Sequence, residues 1–241
     1  MEVYVEYVLG IGKSLDNIKK FISEFRDLVD GVDIPESSLG YPSVNSVALA
    51  AILINLFNVK SIAHIRLADL NHVGFLSLAS AAEALGVKYL LVTVGDPPVL
   101  GRNVDQLTSE EALDIAREYG IKKLKIGAIL SMRFPIEKIF ERLDRGFDFY
   151  LVLRLSSENL DKFIKVSRKA HDLGKELYPY VIVGTAKNRN LLSRIGQPYV
   201  TLDKLKGFLA KIDEFADGII VSCPKDRVGL RKSLEIVKEF R

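Results

Sequence analysis

Eight apolar, β-rich runs alternate with helical patterns along 241 residues, and this alternation predicts one (β/α)8 barrel in which the first strand closes against the eighth. Two further observations support it. No long polar linker or low-complexity segment divides the chain, so residues 1–241 read as a single domain. The run VKYLLVTV (87–94) is almost continuously apolar, as expected of a parallel strand covered on both faces. An open, doubly wound sheet is the alternative, and eight regular units argue against it.

The elements follow in order. VYVEYVL (3–9) alternates and is β-rich, so it is the first strand. From Lys13 to Val29 apolar residues at 15, 18, 21, 22, 25, 28 and 29 make a helical stripe. GVDIP (31–35) is a short second strand that ends in the turn-rich ESSLGYPS, and Ser43 is placed to cap a helix running to about Phe57. SIAHIRLA (61–68) is the third strand, and LNHVGFLSLASAAEALG (70–86) its helix, stopped by Gly86. VKYLLVTV is the fourth strand, with Ser109 set to cap the helix 110–120. LKIGAIL (124–130) is the fifth strand, and its helix (135–146) opens on proline and closes on glycine. FDFYLVLRL (147–155) is the sixth strand, followed by helix 156–174 with a Ser-x-x-Asn start. LYPYVIVG (177–184) is the seventh strand, followed by a short helix and then helix 201–216. DGIIVSC (217–223) and the helix from Asp226 complete the set.

Composition narrows the function. Hydrophobic residues make up 48% and charged residues 27%, the balance of a globular protein. A net charge of +3 is too small to argue for nucleic acid. No apolar run reaches the ~18–20 residues that cross a bilayer, so no membrane is expected. The beginning, MEVYVEYVLG, lacks the basic start of a signal peptide, and cytoplasm is the expected location. A lone Cys223 excludes a disulfide framework and a cysteine-based zinc site. No His pairs with Cys, Asp or Glu at ligand spacing, so no metal is expected. The oligomeric state stays open, a homo-oligomer included.

Parallel α/β folds hold ligands at the C-terminal ends of their strands. The polar residues there are concentrated between His64 and Pro98: His64, Asp69 and Asn71 around the third strand, and Gly95-Asp96-Pro97-Pro98 after the fourth. This pair of motifs resembles the methylenetetrahydrofolate reductase family, flavin-dependent (β/α)8 barrels. Their third strand begins with His and ends in an Asp-containing turn, and their fourth runs into Gly-Asp-x-Pro. The resemblance covers most of the chain in outline, but specific motifs match only in this middle part. It implies reduction of a methylene-pterin one-carbon carrier to the methyl form, with FAD (FMN or no flavin being the variants) and NAD(P)H as electron donor. The implied partner is a folate-type or other pterin.

Each candidate residue has a plain reading beside the functional one. Glu6, inside an apolar strand, costs several kcal/mol if buried without a partner. It either points outward, forms a structural ion pair, or lies in the mouth. The resemblance favours the last, because Val5-Glu6-Tyr7 is similar to the family's Phe-Glu-Phe element, whose glutamate is the general acid; the prolines that usually follow are absent. Asp96 is either a turn residue before Pro97 or a ligand contact. The long 95–108 loop exceeds the ~2–6 residues usual for such connections and favours contact. The family's aspartate lies between flavin and folate.

His64 is either a satisfied core histidine or, by resemblance, a neighbour of the flavin. Asp69 and Asn71 either cap a helix or face the cofactor together with Gly95. Arg154 sits at a strand end, to pair with an anion such as a folate glutamyl tail or to form an exposed ion pair. Three departures stand out: Thr93-Val94 before Gly95, Ser131 to Pro135 in place of the family's Pro-Glu-x-His loop, and Leu153-Arg154 in place of Thr-Gln. They leave room for two rivals. One is a non-redox one-carbon pterin-binding or methyl-transfer module. The other is a phosphate-binding lyase or aldolase using residues 184–189.

Overall fold

A computed structural model describes residues 1–241. Its strands are β1 (Glu2–Glu6), β2 (Gly31–Ile34), β3 (Lys60–Arg66), β4 (Tyr89–Thr93), β5 (Lys125–Ser131), β6 (Phe149–Leu153), β7 (Glu176–Gly184), β8 (Val200–Thr201) and β9 (Gly218–Ser222). The helices are α1 (Leu15–Phe25), α2 (Ser46–Phe57), α3 (His72–Ala84), α4 (Ser109–Glu118), α5 (Ile136–Leu143), α6 (Leu160–Asp172), α7 (Arg189–Ile195), α8 (Leu202–Ile212) and α9 (Arg227–Phe240). Strands β1 to β7 and β9 pair in parallel, and β9 returns to β1, closing an eight-stranded barrel. The predicted (β/α)8 fold is present. The two-residue β8 lengthens one edge of β7 and has no counterpart in the sequence reading.

Alternation sorts the side chains. Residues facing out pack beneath the helices: Val3, Val5, Ile65 and Val92 are fully buried there, as is Phe75 on α3. Each such side chain stabilises the fold by about 1.5–3 kcal/mol through removal from water. Residues facing in form a second, smaller core of Tyr4, Ile62, Leu91, Phe149, Tyr178 and their neighbours. Tyr178 packs edge-on against Tyr4, Tyr89 and Phe149 with ring centroids 5.7–6.2 Å apart. Gly31 and Gly127 make room for these rings: a Cβ on Gly31 falls 2.4 Å from Tyr4, and one on Gly127 equally close to Phe149. At the N-terminal strand ends the ion pairs Glu2–Lys60 and Lys125–Glu176 cross beneath the aromatic plug.

Two helix starts differ from the sequence reading. The cap of α2 is Asn45, whose Oδ1 accepts from Ala48 N–H at 3.0 Å, while Ser43 accepts from Ser37 N–H. The cap of α4 is Thr108, in a capping box with Glu111, and Ser109 instead donates to the Val92 carbonyl. In both places a neighbouring side chain offers the better hydrogen bond to the free N–H groups. No helix is long and apolar enough to cross a membrane.

Candidate active site at the barrel mouth

The C-terminal ends of β1, β2, β3, β7 and β9 converge on one polar cluster. Glu6 faces inward, because its neighbour Tyr7 turns out and stacks on Phe21 of α1 at 3.7 Å. The Glu6 carboxylate accepts from the Ser222 hydroxyl on the adjacent β9. On its other side Glu6 stands in register with Asp33 of β2. Asp33 is fully buried: Oδ1 meets His64 Nε2 at 2.7 Å, and Oδ2 accepts from the Tyr180 hydroxyl.

Electrostatics follow from this packing. Burial pushes the Glu6 carboxyl above the ordinary carboxylate range, and the nearby Asp33 charge pushes the same way. The Ser222 hydrogen bond and His64 oppose the rise without reversing it. Tyr180 is likewise driven well up, by burial and then by Asp33 and Glu6, so its hydroxyl stays a donor. The cluster thus holds the buried Asp33 carboxyl, between His64 and Tyr180, beside a Glu6 carboxyl whose proton affinity is raised.

Of the residues singled out in the sequence, Glu6 and His64 enter this cluster. The others lie on the rim, and most are held by the protein itself. Arg66 is 3% exposed, grips both oxygens of Asp69 at 2.8–2.9 Å through Nη1, and donates through Nη2 to the Asp96 carbonyl. Gly95 lies against that guanidinium with φ +84°, and a Cβ there comes within 2.7 Å of Arg66 Nε. The Asp96 carboxylate itself is exposed. The 95–108 loop is pinned further along by Val99 N–H on the Gly40 carbonyl and Val104 N–H on that of Ala68.

Asn71 caps α3, its Oδ1 accepting from Gly74 N–H at 2.8 Å. Arg154, in a left-handed conformation, donates to the Gly196 carbonyl at 2.7 Å. His64, Asp69 and Asn71 are therefore each hydrogen-bonded within the chain, and Gly95 packs on Arg66. The 184–189 loop is similarly self-satisfied. Asp226 caps α9 and accepts from Gly229 N–H and the Thr185 hydroxyl, with Lys187 at 3.5 Å. The carboxylate occupies the helix N-terminus that a phosphate would take.

Sequence reasoning missed Asp33, Tyr180 and Ser222. A signal was present for Asp33: it is the only charged residue in a strand, GVDI, whose four residues are all buried. No cluster of three or more His, Cys, Asp or Glu side chains is placed to hold a metal.

No family model matches the sequence, and no curated protein does. Among solved structures, the chain is similar to an uncharacterised protein from Clostridium thermocellum that binds two copies of 5-methyl-5,6,7,8-tetrahydrofolic acid. The TM-score is 0.66 at 12% identity, over 98% of this chain and 93% of the other. It is also similar to tryptophan synthase from M. tuberculosis, with a TM-score of 0.61 at 13% identity over 99% and 90%. At such identities the likeness is one of fold, the closed parallel barrel.

Proposed function

We propose that this chain binds a folate-type one-carbon pterin in the barrel mouth and acts on it through Glu6 as general acid. The observation that carries the reading is the inward Glu6 carboxyl, hydrogen-bonded to Ser222 and in register with the buried Asp33–His64 pair, where burial raises its proton affinity. The folate-binding neighbour of the same fold supports the ligand class. In a 5,10-methylene-tetrahydropterin, the Glu6 proton passes to N10 as the bond from N10 to the bridging carbon breaks. The carbon stays on N5 as an iminium, and a hydride from an external donor converts it to the methyl form. General acids in this role contribute about 10²–10⁴-fold. This is the reductase reading, with FAD or FMN and NAD(P)H as candidate donors.

A second reading is favoured by a specific observation. Because His64, Asp69, Asn71 and Gly95 are taken up internally, the barrel also suits a non-redox module. Such a module would bind the methyl-pterin and pass its methyl to a nucleophile, with Glu6 protonating N5 as it leaves. One experiment separates the two. Titration calorimetry with 5-methyltetrahydrofolate tests the ligand; the visible spectrum with FAD or FMN tests the donor. Flavin bands that bleach with NAD(P)H and return on adding a methylene-pterin establish the reductase. Pterin binding without flavin uptake leaves a flavin-free reductase or the module, which oxidation of NAD(P)H on adding a methylene-pterin separates, and no pterin binding refutes both.

A further inference from the structure

The barrel wall is incomplete between β6 and β7. β6 pairs with β7 only as far as Val152 and Pro179, and β8 takes up the same edge of β7 only at Val183. Residues 180–182 have no strand beside them on that side. Alternation shows which groups face the gap. Glu176 N–H donates to Asp148 on the β6 side, whereas Leu177 exchanges its hydrogen bonds with Asp217 on the β9 side. Tyr180 and Ile182 are in phase with Glu176, so their backbone polar groups face the gap.

The gap opens into a cleft of about 870 Å³, bounded by the turn 155–158 on one side and by segment 197–201 and α8 on the other. That volume suits a small organic ligand. Leu155, Tyr199 and Phe208 supply apolar wall, and Lys204 and Lys211 supply positive charge. Gln197 also lines the cleft. Glu158 and Asp203 also line the cleft, Asp203 being held by Thr201.

We propose that this cleft seats the aroyl-glutamate arm of the folate-type ligand, the arm leaving the mouth through the β6–β7 gap. The class follows from the lining: a ring for the apolar wall, an amide for the unpaired backbone of residues 180–182, and carboxylates for the lysines. Tyr180 joins the two regions, because its hydroxyl reaches Asp33 inside the barrel while the residue borders the cleft. The inference rests on the folate reading above.

The test uses three probes on the full chain: N-(4-aminobenzoyl)-L-glutamate, 6-methyltetrahydropterin, which lacks the arm, and 5-methyltetrahydrofolate. Gly207 lines the cleft in mid-α8, and a Cβ there meets nothing within 4 Å. Gly207→Phe therefore sets a ring on the cleft wall from a position open at Cβ, and replacing a helical glycine favours the helix. The arm probe binds the parent chain, and Gly207→Phe weakens both it and 5-methyltetrahydrofolate by about tenfold or more. Lys211→Glu weakens both in the same direction. 6-Methyltetrahydropterin binds the parent and both variants alike. An arm probe that fails to bind the parent, or binding of 5-methyltetrahydrofolate unchanged in both variants, overturns the cleft assignment. Failure of 6-methyltetrahydropterin and 5-methyltetrahydrofolate alike on the parent overturns the folate reading instead, whatever the arm probe does.

Discussion

His64 and Asp33 meet inside the barrel, Nε2 to Oδ1 at 2.7 Å, from neighbouring strands and with no more than 5% of either residue exposed. With Tyr180 on the other oxygen, the Asp33 carboxylate has a buried partner on each side.

Removing that carboxylate leaves a ring nitrogen and a hydroxyl unpaired in the interior. Asp33→Ala is expected to lose about 3–5 kcal/mol of stability, read by urea denaturation. Asp33→Asn keeps the shape but not the charge. Because the Asp33 charge helps to raise the Glu6 proton affinity, the alkaline limb of any Glu6-dependent pH profile moves to lower pH in this variant. An unmoved limb disproves the coupling.

Glu6→Gln separates stability from activity. The folded carboxyl binds its proton more tightly than the unfolded one, so between those two proton affinities the unfolded state loses protons first and wild-type stability falls as pH rises. Below the ordinary glutamate range both states are neutral and the term vanishes. Glu6→Gln is therefore more stable than wild type near pH 7, with the difference disappearing near pH 4, as thermal melts across pH can show. One pK unit of upward shift corresponds to about 1.4 kcal/mol. Turnover or ligand protonation drops by about 10²-fold or more in the same variant.

Gly95→Ala meets two penalties, a left-handed φ and a collision with Arg66. Gly101 has the same φ with nothing within 4 Å of a Cβ, so Gly101→Ala carries only the first. A loss of about 1 kcal/mol is expected for Gly101→Ala and more for Gly95→Ala. Limited proteolysis should cut the 95–108 loop faster in Gly95→Ala than in Gly101→Ala.

Asp226 is held below the usual aspartate range, first by Gly229 N–H, then by Thr185 and Lys187, with burial opposing. Its contribution is present above the unfolded aspartate value and is lost as pH falls through the folded one. Asp226→Ala removes the α9 cap at a cost of about 1–2 kcal/mol near neutral pH. The gap to wild type narrows in acid; a constant gap down to pH 2 contradicts the assignment.

The barrel was legible because period and punctuation agree along the chain: apolar strands alternate with helical patterns eight times, and Gly86, Gly120, Gly174 and Gly196 stop helices between them. The α4 cap was also legible, since Thr108-x-x-Glu111 is a capping-box pattern and Ser109-x-x-Ala112 is not. The polar floor was less so. Asp33, Tyr180 and Ser222 come together only when β2, β7 and β9 close the ring, from positions as far apart as 33 and 222. Local pattern carries no term for such long-range pairing. Arg66 was hidden for a similar reason: as a charge at the end of an apolar strand it says nothing of the two loops it ties together.

The aromatic plug between Tyr4, Tyr89, Phe149 and Tyr178 makes this barrel a cup rather than a tube. Whatever enters at the mouth has no exit through the base. The pterin head therefore enters and leaves through the mouth even when its arm lies in the β6–β7 gap, so a spent ligand must vacate before the next can dock, and product should compete with substrate for the free protein.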